Sequence, residues 1–93
     1  MGQQQRKLER RIVKWLACAL NIHTRHIELV PATNEREDER VSRFCDVTAP
    51  RNITVAEMGE RIQALGLHPD LDRGIFHLHT HDVARVAKIN LYE

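Results

Sequence analysis

Aromatic residues are scarce: Trp15, Phe44, Phe76 and Tyr92 are all the chain carries. A platform that stacks single-stranded bases needs several exposed rings, so that class of nucleic-acid reader has little raw material. Charge of one sign is lacking too. Fourteen Lys and Arg against thirteen Asp and Glu leave a formal net charge of +1, so bulk attraction to a polyanion is excluded and any electrostatic role must be local.

No apolar run reaches the roughly 18 residues of a membrane span. The first residues are polar and basic rather than a cleavable apolar leader, which predicts a cytoplasmic protein with no membrane partner. The two cysteines, Cys18 and Cys45, stand far apart without metal-ligand spacing. They are expected to be reduced thiols that act as small buried apolar side chains. Glycine is equally sparse, and Gly59 and Gly66 fall inside and just after a helical pattern, so no phosphate-cradling loop is present. A nucleophile elbow and a metalloprotease helix motif are missing as well. Neither catalysis nor a cofactor is expected.

What the chain does have is material for one core. Ninety-three residues are too few for two independent cores, and 42% hydrophobic residues with 29% charged suffice to fold and stay dissolved. From Gln3 to Leu20 apolar residues recur with helical period. At about 100° per residue, Leu8, Ile12, Val13, Trp15, Leu16, Ala19 and Leu20 fall on one arc, and Arg6, Lys7, Arg10, Arg11 and Lys14 on the other. Only Glu9 intrudes on the apolar side, and Trp15 reads as a core anchor.

His26 to Val30 is short, β-rich and closed by Pro31, and Arg40 to Thr48 reads as a second strand paired with it. Between them, Ala32 to Glu39 has no apolar run to bury and is expected to be a solvated connection carrying Glu35, Glu37, Asp38 and Glu39. Thr54-Val55-Ala56-Glu57 has the form of a capping box, with Ile53 and Met58 in the staple positions. Val55, Met58, Ile62 and Leu65 make the stripe of that helix, and Gly66 stops it, with Leu67 folding back on Ile62. His68-Pro69-Asp70 is a turn, and Gly74 opens an alternating strand from Ile75 to Thr80. Val83 to Tyr92 is assigned as the last strand, on the β-rich end of the tail and the need of the Phe76 strand for a partner. The resulting fold class is α+β: a small single domain over 1–93, in α-β-β-α-β-β order, with an antiparallel sheet packed by two helices.

Two constellations carry candidate chemistry. Five cations on one helical arc can contact the acidic surface of another protein or successive phosphates, which makes Arg6, Lys7, Arg10, Arg11 and Lys14 the candidate partner-binding residues. The acidic connection could instead satisfy them, within one chain or across a homodimer. The second is His77, His79 and His81, whose alternation along a strand would project three rings to one side about 7 Å apart. An H-x-H pair can hold zinc, with Asp82, His23 or His26 completing the shell, but no cysteine or carboxylate stands at a recognised ligand spacing, so no metal is expected. The same histidines with Arg73, Arg85 and Tyr92 would be the raw material of an acid–base hydrolase. A helix-turn-helix is excluded, because fifteen residues separate Leu65 from His81 where that motif allows three or four.

The reading that follows is a small non-catalytic binding protein that uses a basic amphipathic helix to hold an acidic protein partner. A compact, motif-poor chain of this size resembles, by size alone, phage or mobile-element modulators that bind and inhibit a host protein, anti-CRISPR proteins among them. The alternatives are a nucleic-acid-binding regulator using the same helix, and a histidine-cluster metal protein or small hydrolase.

Overall fold

The computed structural model describes residues 2–31 and 41–92, with side chains from Arg6 onward. The acidic residues Glu35, Glu37, Asp38 and Glu39 therefore lie outside the described residues, as does the expectation that they face the basic helix.

Helix α1 spans Gly2–Leu20. Leu8, Ile12, Leu16 and Leu20 are buried along it at the spacing of one helical stripe. Ala17 joins them while Ala19 is exposed, a correction to the projected arc, and Trp15 is half-buried against the core. Asn21 takes the left-handed conformation (φ 58°), and the Ile22 amide donates to the Ala17 carbonyl at 3.0 Å, which ends the helix. A single 3-10 turn, Thr24–His26, leads into β1, Ile27–Val30. Strand β2, Phe44–Thr48, starts later than expected. Val41 is buried but precedes the strand.

Helix α2 runs Val55–Ala64 behind the predicted cap: Thr54 Oγ1 accepts the Glu57 amide at 3.0 Å. Only this half of the capping box forms. The Glu57 carboxylate turns forward to Arg61 at 2.7 Å instead, and Arg61 Nη1 donates to the Leu20 carbonyl at 2.9 Å, fastening α2 to the end of α1. Ile53 and Met58 are both buried, as a staple requires, and Gly66 (φ 87°) supplies the stop. Val55, expected in the buried stripe, is exposed instead.

Sequence and structure part over the second pair of strands. The α-β-β-α-β-β order holds, but its last two strands are β3, Asp70–Asp72, and β4, Ile75–His79. Asp72 pairs with Ile75 across Arg73 and Gly74, both at positive φ (54° and 80°), a two-residue hairpin turn whose twist suits the strands. Strand β4 thus finds its partner upstream. The tail is consequently not a strand: Thr80–Ala87 forms a third helix, α3, ended by Lys88 at φ 60°. Thr80, Val83 and Ala84 are buried on it and Ala87 is partly so, the i, i+3, i+4, i+7 pattern of a helix covering a core.

All strand pairs are antiparallel, in the order β1-β2-β4-β3. The two α-β-β halves meet where β2 lies against β4. Ile27, Cys45, Val47, Phe76 and Leu78 turn to the helix side and share one buried cluster with α1, α2 and α3. Alternation sends the other residues to the opposite face. There Glu28, Asp46, His77 and Asp70 are register partners in one row across the four strands.

Candidate partner-binding surface

Burying Leu8, Ile12, Leu16 and Leu20 in the core forces the opposite flank of α1 into solvent. Arg6, Lys7, Arg10, Arg11 and Lys14 are all exposed there. At 1.5 Å of rise per residue, Arg6 to Lys14 spans about 12 Å. The ion pairs in the described part of the molecule are Arg61 with Glu57 and Arg85 with Asp82, and His77 hydrogen-bonds Asp46. None involves the α1 flank, so among the described residues its five cations keep their full charge.

Glu9 is the one carboxylate on this stretch of α1, and it is committed elsewhere. Its Oε2 accepts the Ser42 backbone amide at 2.7 Å, which holds the chain entering β2 against α1. Beside it, a shallow groove of about 370 Å³ runs between α1 and β1. Arg6 and Arg10 line its helix side, and Val13, Ile27 and Leu29 make it apolar below.

The histidines separate. His77 and His79 sit two apart on β4 and face away from the helices, but His81 lies in α3, because the strand ends at His79. His77 Nδ1 is 2.7 Å from Asp46 Oδ1 across the β2–β4 pair. The His79 ring stacks at a tilt on Phe44 with centroids 4.8 Å apart, and the Arg43 guanidinium stands 5.8 Å from the Phe44 ring centre. The expected one-sided trio is therefore not assembled. Among the described residues no group of three His, Cys, Asp or Glu side chains is arranged to hold a metal ion. Arg73 sits in the β3–β4 turn and the Arg85 guanidinium goes to Asp82 at 3.3 Å, so neither stands with His77.

Cys18 is exposed on α1, against expectation, while Cys45 is buried. Burial pushes the Cys45 thiol above its ordinary range, only partly offset by its 3.5 Å contact with Thr80 Oγ1. Among the described residues no helix is long and apolar enough to cross a membrane. Sequence reasoning missed the groove and the Asp46–His77 pair. The alternation of both strands was legible, yet which strands become neighbours is decided by topology. No protein-family model, curated protein or solved structure matches this chain.

Proposed function

We propose that this chain is a non-catalytic binding module whose α1 flank holds the acidic surface of a partner protein. The observation that carries the reading is the row of five exposed cations, none paired among the described residues, on a helix anchored along its other side. A solvated flank need not be one-signed. This one is, while the chain as a whole is nearly neutral, so the charge is concentrated where it can steer and register a partner.

A protein partner is favoured over nucleic acid by two features. Two of the cations, Arg6 and Arg10, border a groove with an apolar floor of Val13, Ile27 and Leu29, which phosphates do not require but side chains fill. The exposed sheet face carries the Glu28, Asp70 and Asp72 carboxylates, a negative surface that repels a polyanion wrapping around the domain.

The test is affinity capture from lysate of the source cells, with and without nuclease, using the native chain and an Arg6→Glu, Arg10→Glu, Arg11→Glu, Lys14→Glu variant. The expected result is a protein retained by the native chain, unaffected by nuclease, eluted by salt and lost with the variant. Retention that disappears on nuclease treatment would transfer the flank to nucleic-acid binding. Equal retention by native and variant chains would overturn the role of α1 altogether.

A further inference from the structure

The two edges of the sheet differ in how they would treat an additional strand. β3 is three residues long, follows Pro69, and places Asp70 and Asp72 on either side of Leu71. Short length, charge and a neighbouring proline are the devices by which natural sheets discourage further pairing. β1 is guarded less: it is one residue longer, only Glu28 in it is charged, and Pro31 lies beyond its end. Among the described residues β2 alone pairs with it, and no other backbone hydrogen bond reaches Glu28, Leu29 or Val30.

The groove lies beside this free edge. Ile27 and Leu29 of β1 and Val13 of α1 form its apolar part, and Arg6 and Arg10 stand over it. Glu9 also lines it, its carboxylate turned to the Ser42 amide but still charged, so two guanidinium groups stand against one carboxylate and the balance in the groove is positive. Arg6 and Arg10 are one helical turn apart, about 6 Å along the axis. Side chains on one face of a strand repeat at about 7 Å. Two carboxylates separated by one residue therefore match the two guanidinium groups, and their methylene stems cover the apolar floor.

We infer that this groove receives an extended acidic segment of a partner protein, which adds as a further strand on β1 and presents alternate carboxylates to Arg6 and Arg10. The inference rests on the reading of α1 as the contact flank, and specifies the form of the ligand. Main-chain hydrogen bonds to the β1 edge supply affinity, and the groove supplies selection for acid over base at every second position. Glu28, on the opposite face of β1, disfavours acidic residues at the intervening positions.

The probe is a nine-residue peptide of alternating valine and glutamate, with two controls: lysine in place of glutamate, and N-methylation of the amides that would face β1. Fluorescence anisotropy reads affinity, and amide hydrogen exchange reads the edge. The expected result is saturable binding with a Kd on the order of 10–100 μM, with slowed exchange confined to the alternate β1 amides that point away from β2. The lysine peptide should not bind. The N-methylated peptide and an Arg6→Glu, Arg10→Glu variant should each lose roughly tenfold in affinity.

Absence of saturation up to concentrations on the order of 1 mM overturns the proposal. Equal affinity for the N-methylated peptide overturns strand addition while leaving the charged α1 flank intact. Unchanged affinity in the charge-reversed variant, with exchange still slowed, sinks the α1 reading and with it the acidic preference. Slowed exchange at these amides without peptide, rising with protein concentration, would assign the edge to a second copy of the chain and overturn the proposal as stated.

Discussion

At the scale of single residues, Gly59 shows how closely α2 lies on the sheet. It sits mid-α2, and a Cβ added there would meet the Phe76 ring at 3.4 Å, an ordinary contact. Gly59→Ala should therefore raise stability by about 0.5–1 kcal/mol through helix propensity. Gly59→Leu should lower it by about 1–3 kcal/mol, because its further carbons must displace the ring. Denaturant midpoints read both, and a loss in the alanine variant would show that the helix–sheet contact has no slack. The cysteines make a second prediction at this scale. Cys18 should alkylate readily in the native protein, and Cys45 only on unfolding, as followed by mass after iodoacetamide treatment. Because burial raises the folded-state Cys45 pKa, its linkage contribution is complete at lower pH and is lost as pH rises through the ordinary thiol range. A Cys45→Ala variant should therefore lose less stability than the native chain between neutral and alkaline pH.

At the scale of elements, local signals and tertiary demand agree for α1 and α2 and disagree for the tail. The Thr54 cap and the Gly66 stop were readable because both act on backbone groups within a few residues. The α3 stretch carries no such marks: His79 at its start makes no side-chain cap bond, and Lys88 adopts the left-handed stop conformation without being glycine. Val83, Ala87, Ile89 and Leu91 share one face of a strand there and Val83, Val86 and Ala87 one face of a helix, so periodicity allowed both. Lys88→Gly should relieve the left-handed conformation and stabilise the protein by about 0.5–1 kcal/mol. A thermal melt checks this, and destabilisation would mean that Lys88 makes contacts outweighing its backbone strain. The missed β3 has a similar cause, since Asp70-Leu71-Asp72 has one apolar residue and is more than half exposed at Leu71 (54%). Its sole sequence signal is Arg73-Gly74, a hairpin turn in which arginine takes a position more usual for asparagine or aspartate.

Taken whole, the molecule separates its charge by layer. Cations line the outer flank of the helix layer, and Glu28, Asp70 and Asp72 line the exposed sheet face, so a nearly neutral chain presents two surfaces of opposite sign. One buried cluster joins the three helices and the sheet, from which a single cooperative unfolding transition follows. Leu16→Ala, at a fully buried position, should cost about 2–5 kcal/mol. Its loss should register identically by Trp15 fluorescence and by far-ultraviolet circular dichroism. Non-coincident transitions would mean that the two α-β-β halves unfold separately.

The sequence by itself determined which face of α1 must be buried, where α2 begins and ends, and that the architecture is α+β with an antiparallel sheet. Each follows from periodicity or capping, interactions that reach no further than one or two helical turns. Tertiary structure alone decided that β4 pairs upstream with β3, that 80–87 closes the core as a helix, and that Asp46 meets His77. It also placed Arg6 and Arg10 of α1 beside a strand edge that is unpaired among the described residues. These outcomes depend on which apolar surfaces remain uncovered once the first elements have docked, a condition set by the whole chain and by no local stretch of it.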